Sequence, residues 1–190
     1  MVMIKIKTLF KKDPSDLGRV INEVDPENNW VFEDRVVPTR KWDGTAMAVI
    51  GGFPYKRLDV RFDQNPPEGA IACQDPDPIS GHWPHWVVID QEKPEDAYIV
   101  RAIYNHCVCN KYKLKDGTYE VIGPKINSNR ENMTYHQLQF HGAWILNNFK
   151  EVNFEYIRSY LSIHDFEGIV FHHPDGRMCK IRKRDFGITR

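Results

Sequence analysis

Four short stretches carry side chains that can do chemistry together. Lys41-Trp42-Asp43-Gly44 sets a lysine just ahead of a carboxylate and a glycine. Downstream, Glu120 lies in Tyr119-Glu120-Val121-Ile122-Gly123, Glu167 heads Glu167-Gly168-Ile169-Val170-Phe171, and Lys180-Ile181-Arg182-Lys183 follows. A lysine that attacks a nucleotide α-phosphate needs such a set. Its amine must be deprotonated, which nearby fixed cations favour by depressing a pKa normally about 10.4. Further cations and a metal must neutralise the triphosphate, and carboxylates must hold that metal and the ribose. On the residues alone a second reading of the tetrad stands beside this one. Asp-Gly is turn chemistry, and Asp116-Gly117 and Asp175-Gly176 read as turns only.

The elements that must position these groups are legible in part. Val2, Ile4 and Ile6 alternate with Met3, Lys5 and Lys7 as in a strand. After the break at residues 12–16, Leu17, Val20, Ile21 and Val24 predict a short helix, and residues 30–37 read as β-rich. Thr45 to Gly51 is an apolar strand, so Lys41 falls in a turn or at a strand edge between two buried strands. Residues 63–97, with six prolines, read as loop-rich and pinned by Trp83, Trp86 and Val87 to Ile89. Residues 98–112 and 119–122 read as strand, with Asp116-Gly117 as a hairpin turn. Asn153 predicts an N-cap for a helix carrying Phe154, Ile157, Tyr160, Leu161 and His164. Residues 167–172, a turn at 173–176 and residues 178–183 form a hairpin, whose facing side chains can share a site with Lys41. The expectation is one α+β domain over residues 1–190, mainly antiparallel sheet with flanking helices.

Composition sets outer bounds. The chain has 190 residues, 41% hydrophobic and 27% charged, which describes an ordinary folded protein. Lys+Arg and Asp+Glu both total 26, which argues against a general polycation and leaves room for a local basic patch. No apolar run approaches the ~20 residues that span a bilayer, and the N-terminus has no signal-peptide core. Four cysteines, unevenly spaced, make no disulfide framework and point to a reducing, cytoplasmic setting.

Other clusters carry less. His106, Cys107 and Cys109, with Cys73, Cys179, His172 and His173, raise a zinc site, against which buried strand cysteines are the simpler reading. Residues 176–190 hold Arg177, Lys180, Arg182, Lys183, Arg184 and Arg190 against Asp185 alone. They read either as a solvated tail or as alternate cations turned toward phosphate. Lys5, Lys7, Lys11 and Lys12 are a weaker basic candidate. Asn127 and Asn129 either shape a loop or contact a phosphate or ribose.

The order of the four stretches resembles the covalent nucleotidyltransferase superfamily of ATP-dependent polynucleotide ligases and RNA capping enzymes. Lys41-Trp42-Asp43-Gly44 matches its motif I, Glu120 its motif III, Glu167-Gly168-Ile169-Val170-Phe171 its motif IV and Lys180-Ile181-Arg182 its motif V. A closer resemblance, carried by Arg57-Leu58-Asp59, residues 81–86, 122–129 and 141–144, is to the vertebrate 5′-to-3′ RNA ligase group. The chain looks like a compact relative of the kind frequent in phages, in which case its setting would be the host cytoplasm.

That resemblance implies an ATP-dependent RNA ligase that seals 5′-phosphate and 3′-hydroxyl RNA ends through a lysyl-AMP intermediate, with Mg2+ or Mn2+. It makes Lys41 the nucleophile, with Asp43 positioning it or holding metal-bound water. Lys180 and Arg182 would grip the α-phosphate, and Glu167, with Glu120 and Asp43, would serve the metal. Arg40, Gly44, Arg57, Glu120 and His141 would complete the nucleotide site. For stacking on adenine His141 is the choice, with Phe140 and Trp144 as alternatives; on the residues alone core is the simpler reading of each. The chain ends eight residues past motif V, so no OB-fold domain is expected, and a monomer is. A DNA ligase, a guanylyltransferase and a catalytically idle nucleic-acid-binding module are the rivals.

Overall fold

The structure is a computed structural model, and it describes residues 6–61, 63–78, 80–109, 111 and 113–190, Cys109 in its backbone only. The expectations for residues 1–5 and for Tyr112 therefore lie outside the described residues, as does the Cys109 side chain. Strands run in chain order as β1 (Lys7–Thr8), β2 (Phe10–Asp13), β3 (Asp16–Val24), β4 (Val37–Lys41), β5 (Thr45–Ile50) and β6 (Phe53–Arg61). They continue as β7 (Ile71–Ala72), β8 (His82–Val88), β9 (Gly117–Ile122), β10 (Gln137–Phe140), β11 (Gly168–His172) and β12 (Met178–Arg182). Two α-helices, α1 (Ala97–Tyr104) and α2 (Phe154–Ile163), join them, which makes a mixed α+β protein with mostly antiparallel pairing. Among the described residues no helix is long and apolar enough to cross a membrane.

The chain divides into two compact units, one of residues 6–42 with 142–190 and one centred on residues 43–141. In the first, four strands lie in the order β1-β12-β11-β4, and β2 and β3 pair separately. Ile169 faces Ile181 and Phe171 faces Cys179 across the β11–β12 hairpin, and all four are fully buried. They pack on Ile157, Tyr160 and Leu161 of α2, the face that the helical spacing predicts. Asn153 caps that helix, its side chain accepting from Tyr156 N–H at 2.7 Å, a contact worth about 1 kcal/mol.

The second unit is a six-stranded antiparallel sheet in the order β10-β9-β5-β6-β8-β7. Met47, Val49, Tyr119 and Val121 turn to one face, where Ile99 and Ala102 of α1 cover them. Ala48 and Trp86 turn to the other.

Several local expectations give way to tertiary packing. Residues 16–24 are a strand rather than a helix, because β-branched Val20, Ile21 and Val24 find a pairing partner in β2, with Phe10 opposite Val24. Residues 26–32 are a 3-10 helix rather than strand, started by Pro26 and by Asp25, whose carboxylate accepts from Glu27 N–H at 3.0 Å. Residues 97–104 are α-helix and 105–109 a π turn, not strand, since burying Ile99 and Ala102 on one face requires helical spacing. The loop-rich stretch gives way to strand at His82. Asp116 makes no hairpin turn between strands. Its carboxylate instead accepts the Gly51 and Gly52 N–H groups at 2.8 and 2.9 Å and so fastens the β5–β6 turn.

Candidate active site

Strand register decides which predicted groups meet. Lys41, the last residue of β4, lies opposite Gly168 of β11, and Gly168 lies opposite Arg182 of β12. Two residues along, Thr39, Val170 and Lys180 form the next row on the same face. Directly opposed residues of antiparallel strands point to the same side, so Lys41, Lys180 and Arg182 share one face while Ile169 and Ile181 fill the core behind it. Gly168 is required in that row: a Cβ there would stand 2.2 Å from the Ile181 carbonyl oxygen. Glu167, immediately before β11, forms an ion pair and hydrogen bond with Lys41 Nζ.

Three cations and one carboxylate therefore converge. Burial, then the charges of Arg182 and Lys41, push the Lys180 ammonium down to about 8, with Glu167 and Asp185 acting the other way. Asp185, the one acid set against the cations of residues 176–190, has a defined place. Its carboxylate is fully buried, receives Arg182 Nε at 3.0 Å and Lys12 Nζ at 2.8 Å, and caps the 3-10 turn at Lys183–Phe186. Other cations of the tail are spoken for: Arg177 pairs with Glu33 and Asp175, and Arg190 with Asp165.

Arg40, by alternation, lies on the opposite face of β4 from Lys41. Its guanidinium carbon sits 3.7 Å from the centre of the Trp42 ring and 5.6 Å from that of Phe166. Trp42 in turn meets Trp144 edge to face at 5.4 Å. The segment carrying Trp144 is anchored to β4, since Arg40 N–H donates to the Trp144 carbonyl at 2.8 Å.

The remaining predicted groups gather in the unit of residues 43–141. Glu120 on β9 accepts the Gly44 N–H at 3.0 Å through one oxygen and contacts His141 Nε2 at 2.9 Å through the other. His141 Nδ1 meets Thr118 Oγ1 at 2.9 Å. Both ring nitrogens of His141 are thus engaged, one by Glu120 and the other by Thr118. Gly44 admits no side chain, because a Cβ would lie 2.1 Å from the Val121 carbonyl oxygen. Arg57 on β6 is opposite Trp86 and forks onto Asp59 at 2.9 and 3.1 Å. Those bonds to Asp59 hold its guanidinium above the usual range against the pull of burial, and Glu120 contributes a smaller attraction.

Asp43 is held from the loop at residues 126–133. Asn127 donates to its carboxylate at 3.0 Å and to the Gly44 carbonyl at 2.7 Å, and Arg130 stands 3.3 Å from its second oxygen. The buried Glu131 accepts the Asp43 backbone N–H at 2.8 Å, a role that its place in the sequence does not reveal. Asn127, Ser128, Asn129 and Asn132 are all left-handed, which asparagine tolerates better than most residues. Asn129 shapes the loop, bonding both N–H and carbonyl of Met133.

Among the described residues no three of His, Cys, Asp and Glu are grouped to cage a metal unaided. Magnesium and manganese take hard oxygen ligands and use one or two carboxylates beside substrate phosphates and water. Glu167, a carboxylate beside three cations, is the ligand such an ion would find in the unit that holds Lys41.

Part of the chain is similar to enzymes that join RNA. Residues 101–190 match the family model of RNA ligase 1, a stretch that takes in Glu120, His141, Glu167, Lys180 and Arg182. Comparison with curated proteins returned no match.

Proposed function

We propose that this chain is an ATP-dependent RNA ligase that joins 5′-phosphate and 3′-hydroxyl ends through a lysyl-AMP intermediate on Lys41. The observation that supports it most is the row Lys41, Gly168, Arg182, with Lys180 beside it and Glu167 on the lysine. The match of residues 101–190 to RNA ligase 1 supports RNA as the polymer.

In the first step Lys41 Nζ attacks the α-phosphorus of ATP. A nitrogen–phosphorus bond forms, the bond from that phosphorus to the bridging oxygen breaks, pyrophosphate departs and the Nζ proton passes to water. Lys180 and Arg182 offset the charge that gathers on the α-phosphate oxygens, fixed dipoles and charges being most effective in a site preorganised for them. Glu167 would hold Mg2+ or Mn2+, which when bound would supply further neutralisation of the triphosphate. Glu120 has acceptor capacity beyond its bonds to Gly44 and His141 and takes a ribose hydroxyl. Next, an oxygen of the RNA 5′-phosphate attacks the same phosphorus, which frees Lys41 and leaves AMP on the RNA. The 3′-hydroxyl oxygen then attacks the RNA 5′-phosphorus, and AMP leaves.

The test is incubation with ATP labelled at the α-phosphate and a divalent cation, followed by denaturing gel electrophoresis. Label is expected on the wild type, none on Lys41→Ala, and none from labelled GTP. An unlabelled wild type, or equal label on Lys41→Ala, overturns the reading.

A further inference from the structure

In the unit of residues 43–141, α1 presents an unusual outer face. Its inner residues Ile99 and Ala102 are buried, whereas Tyr98, Arg101 and Tyr104 all lie exposed, the two tyrosines at 42% and 50%. A merely solvated helix face carries charged residues, not two half-exposed rings. Tyr98 is held rigidly. Its ring stacks on His136 at 5.0 Å with an interplanar angle of 11°. His136 is wedged behind it against Gly123, where a Cβ would come within 2.5 Å of the imidazole, and Lys125 N–H points to its Nε2 at 3.4 Å. Asn105 at the end of α1 donates to the His136 carbonyl at 2.8 Å and ties helix to loop. Burial, reinforced by the charge of Arg101, pushes the His136 imidazolium down, so the ring meets Tyr98 as a neutral stacking partner near pH 7.

We infer that the exposed face formed by Tyr98, Arg101, Tyr104 and Lys125 binds single-stranded RNA, its rings stacking on bases and its cations meeting phosphates. This rests on the proposed RNA ligase activity and names residues beyond those assigned to the chemistry that the strand would contact. The occupant follows from chemistry. Rings and cations interleaved on one surface suit a polymer of alternating bases and phosphates, and stacking is tolerant of base identity. Tyr98 and Tyr104 are six residues apart, about 9 Å along the helix, the rise of two or three stacked nucleotides. Glu95, exposed one turn before Tyr98, is the carboxylate at the edge of this face and marks its limit, while Asp96 is buried against Lys56. Duplex RNA is disfavoured, because paired bases inside a helix offer no free ring face.

The test is fluorescence anisotropy with a fluorescein-labelled 12-nucleotide single strand, without ATP, over a series of salt concentrations, with α-labelled ATP adenylation measured in parallel. Tyr98→Ala and Tyr104→Ala are each expected to weaken binding about ten-fold. Arg101→Gln should weaken it several-fold and lower the salt slope by about 0.7. Tyr98→Phe should bind as the wild type does, which separates stacking from misfolding, and adenylation should be unchanged in all four. Unchanged affinity in both alanine variants overturns the inference. A wild type that labels with AMP but binds no single strand overturns it and leaves the ligase chemistry standing. The reverse result, no label but binding lost in the tyrosine variants, overturns the ligase chemistry alone.

Discussion

Asp185 holds Arg182 by both carboxylate oxygens. Arg182 Nε donates to one oxygen at 3.0 Å, a terminal nitrogen donates to the other at 2.8 Å, and the Arg182 backbone N–H returns to the first at 2.9 Å. Lys12 is the second cation on the same buried carboxylate. Burial alone would raise the Asp185 pKa, but the hydrogen bonds from Arg182 and Lys12 outweigh it and hold the carboxyl below its usual 3.8. A depressed carboxyl contributes stability that is present above the unfolded value of about 3.9 and is lost as pH falls through the folded one. Asp185→Asn leaves two cations short of their partner and should cost about 3 kcal/mol at neutral pH. Urea denaturation from pH 7 down to 3 checks this: the wild type should lose stability in the acid range, and the variant should lack that part of the loss.

Lys180 carries the opposite sign. Its ammonium is pushed down to about 8, first by burial and then by Arg182 and Lys41. Its charge is therefore present below about pH 8 and lost above it. ATP affinity should weaken as pH passes from 7 to 9, and Lys180→Arg, which keeps its charge, should flatten that profile in equilibrium binding. Stability moves the other way. The unfolded lysine, with a pKa of about 10.4, binds more protons than the folded one between these values, so the fold gains stability as pH rises from about 8 to 10.4. Lys180→Met should therefore be more stable at pH 7, by on the order of 2 kcal/mol, while losing most lysyl-AMP formation.

The parts legible in the sequence were those whose residues act locally. The β11–β12 hairpin shows as alternation interrupted by His173-Pro174-Asp175-Gly176, and α2 shows in its Asn153 cap and the spacing of Ile157, Tyr160 and Leu161. With that hairpin, Glu167, Lys180 and Arg182 come together by register alone. What the sequence hides is long-range. Residues 16–24 become strand only because β2 pairs with them, and residues 97–104 become helix although Tyr98, Ile99, Val100 and Ile103 favour strands. Glu131 and Asp185 are ordinary acids in sequence, and their roles exist only once Asp43 N–H and Arg182 are brought to them. His141 is also tied at its ring edge, Nδ1 to Thr118 and Nε2 to Glu120, contacts that the sequence does not show and that do not themselves use the ring faces.

That commitment separates two roles for His141 by mutation. A residue that stacks on adenine is replaced best by another ring, whereas one that orients Glu120 is replaced best by another polar group of similar reach. With Glu120 held at 2.9 Å, His141→Gln should keep much of the lysyl-AMP rate and His141→Phe should lose about ten-fold. Single-turnover adenylation at saturating ATP reads this directly. Retention of activity by His141→Phe would return the ring to the stacking role.

Gly168 of the Lys41 row and Gly44 ahead of β5 offer parallel steric tests. A Cβ on Gly44 would meet the Val121 carbonyl oxygen at 2.1 Å and Glu120 Cγ at 2.8 Å, and one on Gly168 would meet the Ile181 carbonyl oxygen at 2.2 Å. In each case the obstructing atom is backbone of a paired strand, so the sheet itself must move. Such overpacking typically costs 1–3 kcal/mol, and these approaches put both substitutions at about 3 kcal/mol. Their effects on chemistry should differ. Gly168→Ala displaces β12 from β11 and should impair the adenylation rate through Lys180 and Arg182, whereas Gly44→Ala displaces Glu120 and should raise KM for ATP. Denaturation midpoints and adenylation kinetics measured on both variants below their unfolding temperatures check this. Gly51→Ala makes the control, since its Cβ meets nothing within 4 Å and only its positive φ of 59° is strained. That variant should lose on the order of 1 kcal/mol and adenylate at the wild-type rate.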